Sequence, residues 1–226
     1  EGPTYGVMVD AKTILGSGLS IKEAIDALFV PSKDSKINLV RVAAHFREVE
    51  KSAPIVKYFK ELGYIVGYNL MQAGGKAADV VADKARQVKE WNAVDALYFA
   101  DSLGNMDGTE VARIVDALRA EWDGDLGIHT HNNMGKALDN TLTAKQCGVT
   151  WLDSTITGMG RGAGNAQTES LLAMINSPGF DYNPKPIYEL VICDFEPMQK
   201  HYGWGSSLLY FLGAQNDVHP TYIQNL

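Results

Sequence analysis

Six short runs rich in β-branched and aromatic residues recur along this 226-residue chain, their starts 24 to 32 residues apart. They are Gly6–Asp10, Ile37–Ala43, Tyr64–Met71, Ala96–Ser102, Leu126–His131 and Thr150–Thr157. That interval is about the length of one strand and one helix with their turns, so the chain repeats a βα unit. Between the runs, apolar residues return at helical period. Ser20-Ile-Lys-Glu23 reads as a capping box opening a helix to about Val30. Ile55, Val56, Phe59 and Leu62 line one face of the next helix, which Gly63 stops. Further helices are expected over 76–91, 109–121 and 134–147. Largely apolar strands alternating with helices form a parallel sheet covered on both faces.

Two architectures satisfy that alternation, an open doubly wound sheet and a (β/α)₈ barrel. An open nucleotide-binding sheet carries a Gly-rich turn straight after its first strand. Here Asp10 runs into Ala11-Lys-Thr-Ile-Leu-Gly16, with no G-x-G-x-x-G. Polar residues gather instead at the C-terminal ends of several strands: Asp10, Asp101, Ser102, His129, His131 and Thr155. Barrel enzymes build their sites there. The expectation is therefore α/β, a TIM (β/α)₈ barrel over residues 1–178 with six βα units visible. The rhythm then stops at two turn-rich stretches, Asn176–Gly179 and Asn183–Pro186. Residues 179–226 read as a helical C-terminal appendage, with helices near 187–202 and 206–213.

Composition excludes several function classes. A net charge of −7 and a pI near 5.2 leave no basic footprint for nucleic acid or an anionic membrane. No apolar run approaches the roughly 20 residues that span a bilayer, and no basic-then-apolar leader pattern opens the chain. Cys147 and Cys193 are too few for a disulfide framework and suit a reducing cytoplasm.

His129-Thr-His131 is the sharpest chemical feature. Residues i and i+2 of a strand share a face, and paired neutral imidazoles are good ligands for a divalent transition metal. The competing reading is two polar side chains capping a barrel mouth. The loop Gly158-Met-Gly-Arg-Gly-Ala-Gly-Asn165 follows the last strand and lets backbone approach a ligand closely. Asn165 could cap a helix or offer an amide oxygen to the metal. Asp101-Ser102-Leu-Gly104 ends the strand before the His pair. Its hydroxyl and N–H groups could hold a carboxylate, or it could be an ordinary strand-to-helix turn. Arg41, inside an apolar strand, needs a partner, either a structural carboxylate such as Asp10 or an anionic substrate. Asn69 is a barrel hydrogen-bonding residue or a substrate contact, and Asp153 reads as packing or as support for a ligand. His219-Pro220 reads as a turn, and His201 and His219 both fall beyond the barrel.

His129-Thr-His-Asn132, Asp153-Ser-Thr-Ile-Thr-Gly-Met-Gly-Arg-Gly-Ala-Gly-Asn165 and Asp101-Ser-Leu-Gly104 together resemble the DRE-TIM metallolyases, over roughly residues 6–176. That superfamily includes 4-hydroxy-2-oxovalerate aldolases, 3-hydroxy-3-methylglutaryl-CoA lyases and 2-isopropylmalate synthases. The Gly-Ala-Gly-Asn ending looks most like the aldolase branch. The CoA lyases carry a catalytic Cys in this loop, where Met159 and Arg161 stand here.

The resemblance implies a divalent metal, Mn²⁺ first, with Mg²⁺, Co²⁺ or Zn²⁺ as alternatives, held by His129, His131 and Asn165. It implies cleavage of a 4-hydroxy-2-oxo acid to pyruvate and an aldehyde through an enolate. Ser102 would touch the pyruvoyl group, with Asp101, Arg161, Arg41 and Asn69 as further substrate-binding candidates. The family's first-strand Asp-x-Arg-Glu or Arg-Asp-Gly motif, and the catalytic His after it in the aldolases, have no counterpart here. Gly6–Asp10 looks like the family's third strand, so the chain reads as a barrel without its first two strands, on which the catalytic base and substrate Arg are expected. The partners implied are a small 2-oxo acid, further copies in a homo-oligomer and an aldehyde dehydrogenase. A Claisen-type synthase or lyase acting on acyl-CoA uses the same metal and enolate chemistry and stands as the alternative enzyme. A non-catalytic fragment or regulatory domain is the alternative outside catalysis.

Overall fold

The structure, a computed structural model, describes residues 2–175 and 183–225. Strands and helices alternate from the start: β1 (Gly6–Asp10), α1 (Ala11–Leu15), α2 (Ile21–Asp26), β2 (Leu39–His45), α3 (Val49–Glu61), β3 (Ile65–Met71) and α4 (Ala78–Glu90). The series continues through β4 (Ala96–Asp101), α5 (Gly108–Arg119), β5 (Asp125–Thr130), α6 (Ala137–Gln146), β6 (Trp151–Leu152) and α7 (Thr168–Ile175). The strands form one sheet in sequence order, β1 to β6. It is parallel, the six-unit βα arrangement of a TIM-barrel chain, as the alternation predicts.

By backbone contacts the chain forms two compact units, Glu1–Ala100 with Arg113–Gly127, and Asp101–Ala112 with Ile128–Leu226. In the first, β2 and β3 pair in register, Arg41 opposite Gly67 and Ala43 opposite Asn69. One sheet face presents Val40, Val42, Val66, Tyr68 and Leu70, all without solvent exposure. α3 packs on both strands with Ile55, Val56 and Phe59. Burying each such side chain fully is worth about 1.5–3 kcal/mol. Phe59 meets Phe29 edge-on at 4.9 Å and Tyr64 at 6.0 Å.

The capping box forms as read: Glu23 N–H donates to the Ser20 hydroxyl, and Ser20 N–H to the Glu23 carboxylate. The helix, however, ends at Asp26 rather than near Val30, because Phe29 turns inward onto Phe59 and Tyr64. The last strand is also shorter than the expected Thr150–Thr157. Pairing stops at Leu152, and Thr155 N–H bonds the Ala166 carbonyl at 3.0 Å.

The second unit carries the C-terminal helices: α8 (Lys185–Leu190), a π-helical turn (Val191–Phe195), α9 (Glu196–Tyr202), α10 (Leu208–Gln215) and α11 (Pro220–Gln224). The expected turn at Asn176–Gly179 and the boundary at 178 lie outside the described residues. Among the described residues no helix is long and apolar enough to cross a membrane.

Candidate active site

β4 and β5 carry the polar residues of the second unit at their C-terminal ends. Asp101 closes β4, and its backbone carbonyl accepts from His131 N–H at 3.4 Å. Its carboxylate accepts from Asn105 N–H at 3.1 Å and Met106 N–H at 3.3 Å, which shapes the loop holding the buried Ser102. Burial pushes the Asp101 carboxyl up to about 6, against the pull of those N–H groups, that of Gly104, and the His129 charge.

His129 and His131 lie on one face, as the i, i+2 spacing requires, with ring centroids 5.0 Å apart and planes at 85°. Their environments differ. His129 Nδ1 is 2.8 Å from Asp153 Oδ2. A carboxylate there favours the Nδ1–H tautomer and leaves the Nε2 lone pair available, the way metal-ligating histidines are commonly oriented. His131 is buried, 8% exposed. Desolvation first, then the charges of His129, Arg161 and His219, drive it down to about 3, with the Gly164 carbonyl opposing them. It is therefore a neutral imidazole across the physiological range, the form that binds metals.

The Gly-rich loop folds back onto this strand end. His131 bridges Asn165 in an isolated antiparallel pair, and Asn132 N–H donates to the Gly164 carbonyl at 2.7 Å. Glycine is required twice over. Gly164 has φ +88°, and a Cβ on it would run into the Gly158 carbonyl. A Cβ on Gly160 would collide with the Asn165 amide. Asn165 Nδ2 donates to the Met159 carbonyl at 3.2 Å and to Thr155 Oγ1 at 3.4 Å, so its amide is held with Oδ1 as the remaining polar atom.

Two buried polar atoms of this cluster have no hydrogen-bond partner, His131 Nδ1 and Asn165 Oδ1. Such groups cost about 1–3 kcal/mol each unless something completes them. An unprotonated imidazole and an amide oxygen are both donors to a divalent cation, so His129, His131 and Asn165 fit one as a neutral set. Among the described residues no group of three or more His, Cys, Asp or Glu side chains gathers around a common point. The anionic ligand that the resemblance implies is thus not among them.

The sequence-derived candidates divide between the units. Asp101, Ser102, His129, His131, Arg161 and Asn165 all belong to the second unit. Arg161 is exposed, yet its charge reaches His131. Arg41 and Asn69 belong to the first. The Arg41 guanidinium lies 4.4 Å over the Tyr98 ring, which satisfies part of its need for a partner. Asn69 is buried with Oδ1 unpartnered. Asp10 accepts from Lys12 N–H at 2.8 Å and caps α1.

Asn133 is a residue that the pattern did not single out. Buried, it donates from Nδ2 to the Leu103 carbonyl at 2.9 Å and accepts at Oδ1 from Ala163 N–H at 2.9 Å. It ties the loop after β4 to the Gly-rich loop, and only its place directly after the His pair hinted at this.

Known proteins place the chain. The HMGL-like family model matches residues 29–189. A 4-hydroxy-2-oxovalerate aldolase of Bacillus thuringiensis is 34% identical over 181 residues, 78% of this chain and 53% of that protein. 4-Hydroxy-2-oxovalerate aldolase 2 of Rhodococcus opacus is 36% identical over 167 residues, 70% of this chain and 48% of that protein. The chain thus spans about half the length of the curated relatives it matches. Among solved structures, the N-terminal domain of a candidate aldolase from Bacteroides vulgatus superimposes with a TM-score of 0.85 at 26% identity, covering 98% of this chain and 72% of that one. HMG-CoA lyase from Brucella melitensis shares the fold, with a TM-score of 0.67 at 18% identity over 87% of this chain and 74% of that one. With the paired histidines and the Gly-rich loop inside the matched span, the chain belongs to the HMGL-like family of the DRE-TIM superfamily.

Proposed function

We propose that the protein to which this chain belongs is a divalent-metal-dependent aldolase that cleaves a 4-hydroxy-2-oxo acid to pyruvate and an aldehyde. The observation that carries this reading is the pair His129 and His131 beside Asn165, with His131 Nδ1 and Asn165 Oδ1 buried and unpartnered. The aldolase names of the relatives support the substrate class. Held by these residues, a divalent cation would supply Lewis-acid polarisation of the 2-oxo group.

The chain's own groups do the rest of the binding. Asp153 holds His129 in one tautomer and one ring orientation. Burial keeps His131 neutral, so it adds no positive charge to the site. The hydroxyl of Ser102 and the guanidinium of Arg161 are the groups offered to the substrate carboxylate, Arg161 as a charge-assisted donor. Asp101 fixes the loop that carries Ser102 through its two backbone N–H bonds. Arg41 and Asn69 are further substrate-side candidates. Two imidazoles in the donor set favour Mn²⁺, Co²⁺ or Zn²⁺ over Ca²⁺. The same proposal includes a cytoplasmic location, assembly as a homo-oligomer, an aldehyde dehydrogenase as partner, and a division at residue 178 between barrel and helical appendage.

The test is elemental analysis of the purified protein before and after chelator dialysis, followed by pyruvate release from a 4-hydroxy-2-oxo acid with added Mn²⁺. About one metal per chain is expected, with turnover that disappears in His131→Ala. Undiminished turnover in that variant would end the proposal.

A further inference from the structure

The Gly-rich loop opens on a short 3₁₀ turn, Ile156–Gly158, whose middle residue has a backbone that threonine rarely adopts. Thr157 stands at φ 52° and ψ 22°, in the left-handed region, and is buried. A β-branched residue in that conformation is strained, and it persists only where its surroundings hold it there. Two side chains from outside the turn do so, one on each side of the residue. Its N–H donates to Glu169 Oε2, in the first turn of α7, at 3.0 Å. Its carbonyl accepts from Trp204 Nε1, in the link between α9 and α10, at 3.4 Å. The residues flanking Thr157 in turn grip Asn165. Thr155 Oγ1 and the Met159 carbonyl accept from its Nδ2, and the Gly158 carbonyl accepts from its N–H at 3.0 Å. A right-handed Thr157 would swing residues 158 and 159 away from residue 155 and open that grip. The strain is thus kept beside a buried amide oxygen, Asn165 Oδ1, that has no partner.

We propose that Glu169, assisted by Trp204, is a positioning residue for Asn165: it holds Thr157 in the left-handed conformation, which fixes the Asn165 amide with Oδ1 as its open atom. The inference deepens the metal-site reading and rests on it for what Oδ1 serves, though not for how the amide is held. Glu169 touches no candidate ligand, so it acts only through the turn. It gives a carboxylate of α7 and a tryptophan of the C-terminal helical region a share in the site.

The experiment compares the parent protein with Glu169→Ala, Glu169→Gln and Trp204→Phe, first without metal. Gln keeps an oxygen acceptor for the Thr157 N–H, and Phe keeps an aromatic ring while removing the N–H donor. The readout is the side-chain amide signal of Asn165 in the nitrogen–proton spectrum, assigned by its loss in Asn165→Ala. That signal should shift in Glu169→Ala, shift less in Trp204→Phe, and return toward its parent position in Glu169→Gln. Mn²⁺ affinity, measured by the loss of free-ion paramagnetic signal, should weaken about tenfold in Glu169→Ala and recover in Glu169→Gln. In an Asn165→Ala background Glu169→Ala should weaken it no further, because the residue it acts through is already gone. An Asn165 signal unchanged in both Glu169→Ala and Trp204→Phe overturns the positioning, as does a full further tenfold loss in the Asn165→Ala background. Should Glu169→Ala fail to fold, the same signal in Trp204→Phe decides. A parent protein that binds no Mn²⁺ overturns the metal reading and leaves the positioning to the amide signal.

Discussion

The two units spend their buried volume differently. Of the twelve buried polar or charged residues among those described, nine belong to the second unit and only Glu48, Ser52 and Asn69 to the first. In the first unit two of the three serve the backbone: Glu48 accepts from His45 N–H and Ser52 donates to the Glu48 carbonyl. Around them pack Phe59, Tyr64, Ile55 and Leu70, with essentially no solvent exposure. The second unit buries Asp101, Ser102, His131, Asn133 and Asn165 together and leaves two of their atoms unsatisfied. The first unit also leaves Tyr68 Oη and Asn69 Oδ1 without a partner, so the contrast lies in what gathers around the unsatisfied atoms: in the second unit His131 Nδ1 and Asn165 Oδ1 belong to one cluster with His129. A region that must bind holds some of them ready for a partner.

If that contrast is right, damage to the first unit changes stability and spares the chemistry. Phe59→Ala empties a fully buried site flanked by two aromatic rings and should cost about 3–5 kcal/mol in denaturant unfolding. Under conditions where the variant is still folded, Mn²⁺ binding should match the parent. A tenfold loss of metal affinity in the folded variant would erase the distinction between the units.

The next effect separates two buried groups of the second unit by pH, in chelator-dialysed protein. Asp101 rises from an ordinary 3.8 to about 6. Between those values the fold keeps a proton that the unfolded chain releases, so this contribution to stability falls as pH rises. His131 drops from an ordinary 6.5 to about 3. Over that range the unfolded chain takes a proton that the fold refuses, so its contribution rises with pH. In the parent the two slopes offset each other from about pH 4 to 6. Asp101→Asn removes only the falling one. The stability of the variant relative to the parent should therefore grow by about 2 kcal/mol between pH 4 and 6.5. A difference that stays constant with pH would mean that Asp101 is solvated.

Much of this contrast was legible beforehand, and the misses share a cause. Alternating β-branched runs and helical periods located the six strands and most of the helices among the described residues, because local spacing dictates which face is buried, while the short α1 went unread. The H-x-H strand and the Gly-rich loop likewise announced themselves by spacing. What failed depended on contacts distant in sequence. α2 stops early because Phe29 packs on Phe59 and Tyr64, and β6 stops early because Thr155 bridges Gln167, its N–H donating to the Ala166 carbonyl. The division of the candidates, with Arg41 and Asn69 in the first unit, was equally invisible to a pattern that knows only strand ends.

Asp153→Asn tests the second unit at the level of a single hydrogen bond. The side chain keeps its volume, but it can turn its amide toward His129 Nδ1 and favour the other tautomer. Metal affinity should fall by about 10–100-fold, as for other supporting partners of ligating histidines. The imidazole nitrogen spectrum of the metal-free protein should show the His129 proton moving from Nδ1 toward Nε2. An unchanged tautomer would reduce Asp153 to packing.

The smallest expected effect lies on the surface of the first unit. Lys60 Nζ contacts both oxygens of Asp95 at 2.7 Å, and Asp95 Oδ2 also accepts from Val66 N–H at 2.8 Å. Both side chains are about two-fifths exposed, at 42% and 38%. Water and salt screen such a pair, and ordering two flexible side chains offsets most of the attraction, so Lys60→Met should cost no more than about 0.5 kcal/mol and less at high salt. Asp95→Ala should cost more, since it strips the Val66 N–H of its acceptor at the point where β3 begins. Equal losses in the two variants would show that charge, rather than the backbone bond, holds that strand end. The first unit would then depend on polar contacts in a way its dry core gives no reason to expect.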